Sequence, residues 1–211
     1  MKKDVGIGTK IQEILRNLIK NPVSELKFNN VFELLIAVML SAQCTDKRVN
    51  IITENLFKKY QTPYDFAKLS VEELEQEIKS CNYYHNKAKN IISACKSLVK
   101  DYNGQVPDNH SDLTKLAGVG NKTANVVLAV GFNQQAFPVD THILRVSNRL
   151  GLSDTKSPDI CEKDLKEIFK DCDYSEMHHL LLLFGRYHCM ARNPQCKDCV
   201  LSEICKNKKE L

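Results

Sequence analysis

An all-α fold is the prediction for this chain of 211 residues, and two observations support it. Apolar residues recur at intervals of three and four, the period of a helix face, along most of the sequence. No segment shows the alternation of apolar and polar residues that is typical of a half-buried strand. We therefore expect about ten helices and no β-sheet.

Periodicity and capping signals place the individual helices along the chain. Near the N-terminus, TKIQEILRNLIK puts Ile11 and Leu15 on one helical face together with three further apolar residues. Ser70 followed by Glu73 has the spacing of a capping box at a helix start. Ser157–Pro158 predicts an N-cap followed by a first-turn proline.

Composition and charge exclude some classes of protein. The net charge of +4, from 30 basic and 26 acidic residues, permits a polyanionic partner without requiring one. The N-terminal MKKDVGIGTK has no apolar core, so we expect no secretory signal. The longest apolar run, 31–42, is interrupted by Glu33 and is shorter than the roughly 20 residues of a membrane span. We predict a buried core helix there, and a cytoplasmic protein without a membrane partner.

Four of the nine cysteines lie close together near the C-terminus, with six, two and five residues between them. They are Cys189, Cys196, Cys199 and Cys205. An odd total without a secretory signal argues against a disulfide framework and for a metal or cluster site. Ligation by cysteine alone suits tetrahedral zinc or a 4Fe–4S cluster, and the spacing by itself leaves both open.

The stretch LAGVGNKTANVV, residues 116–127, places a glycine turn directly before an apolar helix. It is not a nucleotide-binding loop, because Asn121 precedes the lysine and no strand is predicted upstream. Gly118 and Gly120 can adopt positive φ and leave room for close approach. The amides of the turn and of the following helix can receive a DNA backbone phosphate regardless of base sequence. On this stretch alone, Lys122 is either a phosphate contact or a nucleophile.

Taken together, the motifs resemble the helix-hairpin-helix DNA glycosylases, and among these the endonuclease III branch. The resemblance rests on five features: LAGVGNKTANVV, VDTHILRVSNRLG, FELLIAVMLSAQCTD, NKAKNI and the cysteine spacing. Together they span nearly the whole chain. It implies a six-helix barrel domain with the helix-hairpin-helix motif at 24–134. An iron–sulfur cluster domain would combine 1–23 with 135–211, and the two domains would flank a DNA-binding cleft.

The resemblance also implies the catalytic residues. Lys122 would attack the sugar C1′ of a damaged nucleotide and form a Schiff base. A helix N-terminus and partial burial would both disfavour its ammonium form. Asp140 would stabilise the oxocarbenium-like sugar and assist deprotonation of the lysine. The residue also stands where an N-cap is expected, and the two roles are compatible.

DNA contacts and the cofactor follow from the same resemblance. Gln43 would fill the gap left by the flipped nucleotide, and Tyr83 would act as the wedge. Family members usually carry glycine where this chain has Asn82, so we expect an altered turn. The spacing of the four cysteines is that of the family's 4Fe–4S cluster, and the loop between the first two would present Arg192 to a phosphate. Gly118 and Gly120 would receive another phosphate.

Three functions compete at this point. The first is a bifunctional glycosylase and abasic-site lyase that acts, as a monomer, on oxidised pyrimidines or abasic sites in duplex DNA. The second is a monofunctional relative that removes adenine from mispairs. Ala37 stands near that enzyme's catalytic glutamate position, and Lys122 is retained, so the first is favoured. The third is a non-catalytic damage-binding protein, which the presence of both Lys122 and Asp140 argues against.

Overall fold

The computed structural model describes residues 5–207, which form α-helices, one π-helical turn and no strand. The all-α prediction is confirmed. The helices are α1 (Val5–Leu18), α2 (Val31–Ser41), α3 (Asp46–Lys59), α4 (Pro63–Lys68), α5 (Val71–Ile78), α6 (Tyr84–Asp101), α7 (His110–Leu113), α8 (Asn121–Val126), α9 (Thr141–Leu150), α10 (Pro158–Ile168) and α11 (Tyr174–Tyr187), with the π-helical turn at Val127–Gly131. Within this range, no helix combines the length and the apolar character needed to cross a membrane.

The chain divides into two units, and each is described by itself. The hairpin unit, Ser24–Asn133, contains α2 to α8 and the π-helical turn. The cysteine unit, Met1–Val23 with Gln134–Leu211, contains α1 and α9 to α11. The hairpin unit is one continuous segment, whereas the cysteine unit is built from both ends of the chain.

Helix α2 is the centre of the hairpin unit. All nine residues from Phe32 to Leu40 are buried, because α3, α6, α8 and the π-helical turn pack around this helix. The charged member, Glu33, is only 5% exposed. Its carboxylate accepts hydrogen bonds from the backbone and side-chain amides of Asn29 at 2.7 and 2.9 Å, which satisfies the buried charge. The prediction of a buried core helix at this run is confirmed.

The two predicted helix starts have different outcomes. Ser70 and Glu73 form the predicted capping box, in which each side chain accepts from the other residue's backbone amide. Ser157 stands at the N-cap of α10 and Pro158 in its first turn, but the serine side chain makes no capping hydrogen bond. Instead, its backbone amide donates to the hydroxyl of Thr155 at 3.0 Å, a local turn that competes with the cap.

In the cysteine unit, α1 packs against α10 and α11. Ile11 and Leu15 are fully buried there, as their shared helical face predicts. Beside this apolar contact, Arg16 Nε donates to Glu176 Oε1 at 2.7 Å, and the Gln12 amide donates to Glu176 Oε2 at 2.9 Å. The hydrogen bond to Glu176 raises the pKa of the Arg16 guanidinium. A charged pair and an apolar face thus join segments 160 residues apart in sequence.

Candidate active site

The turn before α8 contains two glycines that serve different purposes. Gly118 has φ of +77°, the left-handed region that the sequence predicts. A Cβ here would lie 2.8 Å from Cβ of Asn90 on α6, so both the backbone conformation and the space require glycine. Gly120 does not use this conformational freedom, because its φ of −90° is ordinary extended backbone. A Cβ on Gly120 would meet no atom within 4 Å, so this side of the turn is open.

Helix α8 begins directly at this open side. Gly120 is its N-cap, and no side chain caps it. Lys122 is the second residue of the helix and its side chain is exposed, so the expectation of partial burial is wrong. After six residues the helix continues as the π-helical turn, whose first three residues are buried. The lysine is therefore carried on a helix that is anchored in the core at its far end and reaches solvent at its start.

Asp140 occupies the N-cap of α9, as predicted. Its Oδ1 accepts hydrogen bonds from the backbone amides of His142 at 2.9 Å and Ile143 at 2.8 Å. Both bonds go to one oxygen, which leaves Oδ2 outside the cap. The residue is half-buried, and the chain leading to it is held by His178, whose Nδ1 donates to the carbonyl of Pro138 at 2.8 Å. The cap thus gives the carboxylate a fixed direction.

Gln43 and Tyr83 lie on two loops that the structure brings together. Each has a left-handed backbone, with φ of 54° and 58°, and each is exposed. Between them, the side-chain amide of Asn82 donates to the carbonyl of Gln43 at 2.7 Å. Non-glycine residues adopt this conformation at a cost, and such residues concentrate at functional sites.

Lys87 is a site residue whose role sequence reasoning missed. It is 8% exposed, and its Nζ donates to the carbonyls of Leu40 at 2.7 Å and Ala42 at 2.6 Å. It also lies 3.1 Å from Sγ of Cys81, whose pKa is nevertheless raised, because burial outweighs the nearby ammonium. The ammonium thereby binds carbonyls at the C-terminal end of α2. A lysine inside NKAKNI was the available signal, but its partners lie more than 40 residues away.

The four clustered cysteines line one cavity of about 190 Å³. Arg149, Leu150, Phe184, His188, Pro194, Gln195 and Asn207 complete its wall. In residues 5–207, no three His, Cys, Asp or Glu side chains are grouped closely enough to hold a single metal ion. Burial raises the pKa of Cys199, and the neighbouring cysteines act in the same direction.

Arg149 joins the first and last of these cysteines, and sequence reasoning missed it. Its guanidinium Nη1 donates to the carbonyl of Met190 at 2.7 Å and lies 3.4 Å from Sγ of Cys189. Its own carbonyl accepts from Sγ of Cys205 at 3.4 Å. Arg192 is exposed in the loop between the first two cysteines. A positive charge beside the Cys189 sulfur, in the wall of the cavity that the four cysteines line, suits a site that binds thiolates.

Comparison with known proteins places this arrangement in a family. Residues 36–171 match the model of the HhH-GPD superfamily of base excision DNA repair proteins. Endonuclease III of Bacillus subtilis (strain 168) is 49% identical over 183 residues, 86% of this chain and 84% of the relative. Endonuclease III of Escherichia coli (strain K12) is 42% identical over 202 residues, 94% of this chain and 96% of the relative. A solved structure described as a trapped endonuclease III–DNA covalent intermediate, an estranged-adenine complex, is 45% identical with a TM-score of 0.93 and covers 98% of this chain and 97% of that one.

The chain therefore belongs to the HhH-GPD superfamily of base excision DNA repair proteins and, within it, to the endonuclease III family. The resemblance drawn from the motifs is confirmed, and so is the predicted class of enzyme: a base excision repair DNA glycosylase/AP lyase acting on DNA.

Proposed function

We propose that this chain removes oxidised pyrimidines from duplex DNA through a Schiff base on Lys122, and then cleaves the strand 3′ to the abasic site. The observation that carries the proposal is the placement of Lys122 in a member of this family. Its amine is exposed at the start of α8, directly after the left-handed turn at Gly118 and beside the open side of Gly120. A covalent intermediate is described for the endonuclease III structure similar to this chain, which supports a covalent route.

The chemistry at Lys122 runs in two stages. In the first, the neutral amine attacks C1′ of the damaged nucleotide, and the bond from C1′ to the nucleobase breaks. The bond from C1′ to O4′ then opens to give the imine, and the two amine protons end on the departing nucleobase and on O4′. In the second, the imine acidifies the C2′ proton. When a general base removes that proton, β-elimination breaks the C3′–O bond and the 3′ phosphate leaves. Hydrolysis of the imine then returns the free lysine.

Asp140 supplies the negative charge in this proposal. A sugar that loses its base develops positive charge, and a carboxylate held in place stabilises that charge without first reorganising. The double hydrogen bond to Oδ1 holds the group, and Oδ2 lies outside the cap. We assign to Asp140 the stabilisation of the departing-base transition state and the deprotonation of Lys122.

DNA engagement is assigned to the remaining predicted residues. The damaged nucleotide must leave the base stack before its C1′ is accessible. Gln43 and Tyr83, exposed on their paired loops, would fill the gap and wedge the duplex. The turn at Gly118 and Gly120, and Arg192 on its cysteine loop, would contact backbone phosphates. The description of a solved relative as an estranged-adenine complex supports this assignment.

The cysteine cavity supports a 4Fe–4S cluster held by Cys189, Cys196, Cys199 and Cys205. Four thiolates around one zinc ion at 2.3 Å lie within about 4 Å of each other and close on a single point. Here the four cysteines line one cavity of about 190 Å³, which leaves room for an inorganic core larger than a single ion. The cluster would cross-link the tail and hold the loop of Arg192, and no step of base removal is assigned to it.

We also propose that the chain acts as a monomer and works in the cytoplasm, on the nucleoid. The relatives described above come from bacteria. In this proposal the residues assigned to chemistry and to DNA contact all come from one chain, so a second copy has no role in the reaction.

A panel of duplexes, each with one oxidised pyrimidine, tests the proposed substrate class. We expect strand cleavage 3′ to the lesion with oxidised thymine and cytosine derivatives, at rates about 100-fold or more above that on an undamaged duplex. A duplex with adenine opposite 8-oxoguanine and one with an abasic site are the comparison substrates. Cleavage confined to the abasic duplex would contradict the glycosylase half of the proposal, and adenine release would favour the monofunctional alternative.

Replacing Asp140 separates its capping role from its charge. Asp140→Asn keeps an oxygen for the two amides, so we expect the folding free energy to change little, because asparagine caps as well as aspartate. Asp140→Ala removes the cap and costs about 1 kcal/mol. Both variants lose the charge and are expected to release the base about 100-fold more slowly. Thermal unfolding and single-turnover base release check this, and an Asn variant with the wild-type rate would leave Asp140 as a cap only.

A further inference from the structure

The two loops that carry Gln43 and Tyr83 are joined by side chains of the second loop and its helix. Asn82, next to Tyr83, donates through its side-chain amide to the carbonyl of Gln43 at 2.7 Å. Lys87, one turn into α6, donates to the carbonyl of Ala42 at 2.6 Å. Both acceptors belong to the first loop, so its backbone is held from the second.

These two bonds act on the backbone torsions of Gln43. Its φ and ψ are the rotations of the two peptide groups on either side of its Cα. The carbonyl of the preceding peptide group is bound by Lys87, and the carbonyl of the following one by Asn82. Gln43 has φ of 54°, a conformation that is unfavourable for a non-glycine residue and persists only where its surroundings hold it. The two side chains supply that restraint.

We propose that Asn82 is a positioning residue for opposite-base recognition, acting through Gln43. This inference rests on the proposed function, in which Gln43 fills the gap beside the orphaned base. By fixing the peptide group after Gln43, Asn82 sets the direction in which the glutamine side chain leaves the loop. The bond requires a side-chain donor at this position, and the amide of Asn82 supplies it.

Of the two residues that restrain Gln43, Asn82 can be substituted with less effect on the fold than Lys87. Lys87 is buried and also binds Leu40 O and Cys81 Sγ, so its loss would disturb the end of α2. Asn82 is exposed, and its bond to Gln43 is at the surface. A single hydrogen bond of this kind contributes about 1 kcal/mol, which corresponds to roughly a five-fold change in an equilibrium constant.

The test measures affinity for duplexes that carry a tetrahydrofuran abasic-site analogue opposite each of the four bases. This analogue cannot form an imine, so binding is separated from chemistry. We expect wild type to show different affinities for the four duplexes. In Asn82→Ala and Asn82→Asp, neither of which can donate to Gln43 O, we expect the affinity for the preferred duplex to fall about five-fold, so that the spread between opposite bases narrows.

A second background decides whether Asn82 acts through Gln43. In Gln43→Ala the affinities for the four duplexes should already differ little. Adding Asn82→Ala should not change these differences further, because the side chain that Asn82 positions is gone. Equal losses from Asn82→Ala for all four duplexes, in both backgrounds, would overturn the proposal and make Asn82 a direct contact. So would wild-type affinities that do not depend on the opposite base. A wild type that binds abasic and undamaged duplexes equally would instead refute the proposed function.

Thermal unfolding accompanies each variant. Asn82 is exposed, so Asn82→Ala and Asn82→Asp should unfold within a few degrees of wild type. Asn82→Gly, which has no side-chain donor, is a third variant, and we expect the same narrowing of the affinity differences between opposite bases. A narrowed spread in Asn82→Ala that is absent from Asn82→Gly would contradict the hydrogen bond as its cause.

Discussion

Borohydride should trap the wild-type chain covalently on a duplex with an abasic site, and should trap none of the Lys122→Ala variant. Reduction converts the imine between Nζ and C1′ into a stable amine, so the product is a protein–DNA adduct visible by denaturing gel electrophoresis. We expect strand cleavage by the variant to fall more than about 1,000-fold, as losses of a covalent nucleophile do. Lys122 is exposed and near a helix start, and alanine is a good helix former, so the fold should survive.

Two further variants distinguish a role of Lys122 as the nucleophile from a role as a phosphate contact. Lys122→Arg keeps the positive charge but cannot form the imine, so it should also fail to trap. Lys115→Ala removes one positive charge from an exposed lysine before the same turn, where Lys115 pairs with Asp112 at 2.7 Å. This variant should trap as wild type does. Trapping or cleavage by Lys122→Arg at wild-type levels would reduce Lys122 to a phosphate contact and refute the proposed mechanism.

If the proposed 4Fe–4S cluster is bound, replacing Cys199 by alanine should remove it and destabilise the cysteine unit. We expect the broad absorbance near 400 nm to disappear and bound iron to fall below about a tenth of the wild-type content, because metal binding and folding are coupled in such sites. The thermal midpoint should fall by several degrees. Absorbance spectra, iron analysis and thermal unfolding of the full chain measure the three effects.

Cys172 provides the matched control for this experiment. It is a half-buried cysteine of the same unit that does not line the cavity, and Cys172→Ala should keep the absorbance and the iron. Stoichiometric zinc in wild type, without absorbance near 400 nm, would contradict the cluster assignment. Loss of iron from both variants alike would show that the effect is general destabilisation rather than ligand loss.

Several features of this structure could be predicted from residues that are close together in the sequence. The capping box at Ser70 and the N-cap at Asp140 depend on residues two or three positions apart, and both are present. The buried helix at Phe32–Leu40 is an apolar run interrupted by Glu33 alone, and so apolar a segment is stable inside a core. Such features are predictable because the interacting groups are near each other in the chain.

Other features depend on contacts that local reasoning does not reach. The bond from Asn82 to Gln43 spans 39 residues, and that from Arg149 to Met190 spans 41. Nothing near Gly120 distinguishes it from Gly118, yet only Gly118 faces a neighbouring helix and adopts positive φ. The exposure of Lys122 likewise depends on what packs beside α8 rather than on its own neighbours in sequence.

The pairing of α1 with α11 affects the order in which the protein can assemble on the ribosome. Arg16 and Glu176 are separated by 160 residues, so this contact forms only after most of the chain has been synthesised. The segment Ser24–Asn133 forms a compact unit from one continuous stretch of chain, so it can fold before the second unit is complete. Ile11 and Leu15 reach their buried state only when α10 and α11 have been synthesised, because α1 packs against both helices. Until then the nascent chain lacks the partners that cover these apolar side chains, and exposed apolar side chains are the kind of surface that chaperones bind.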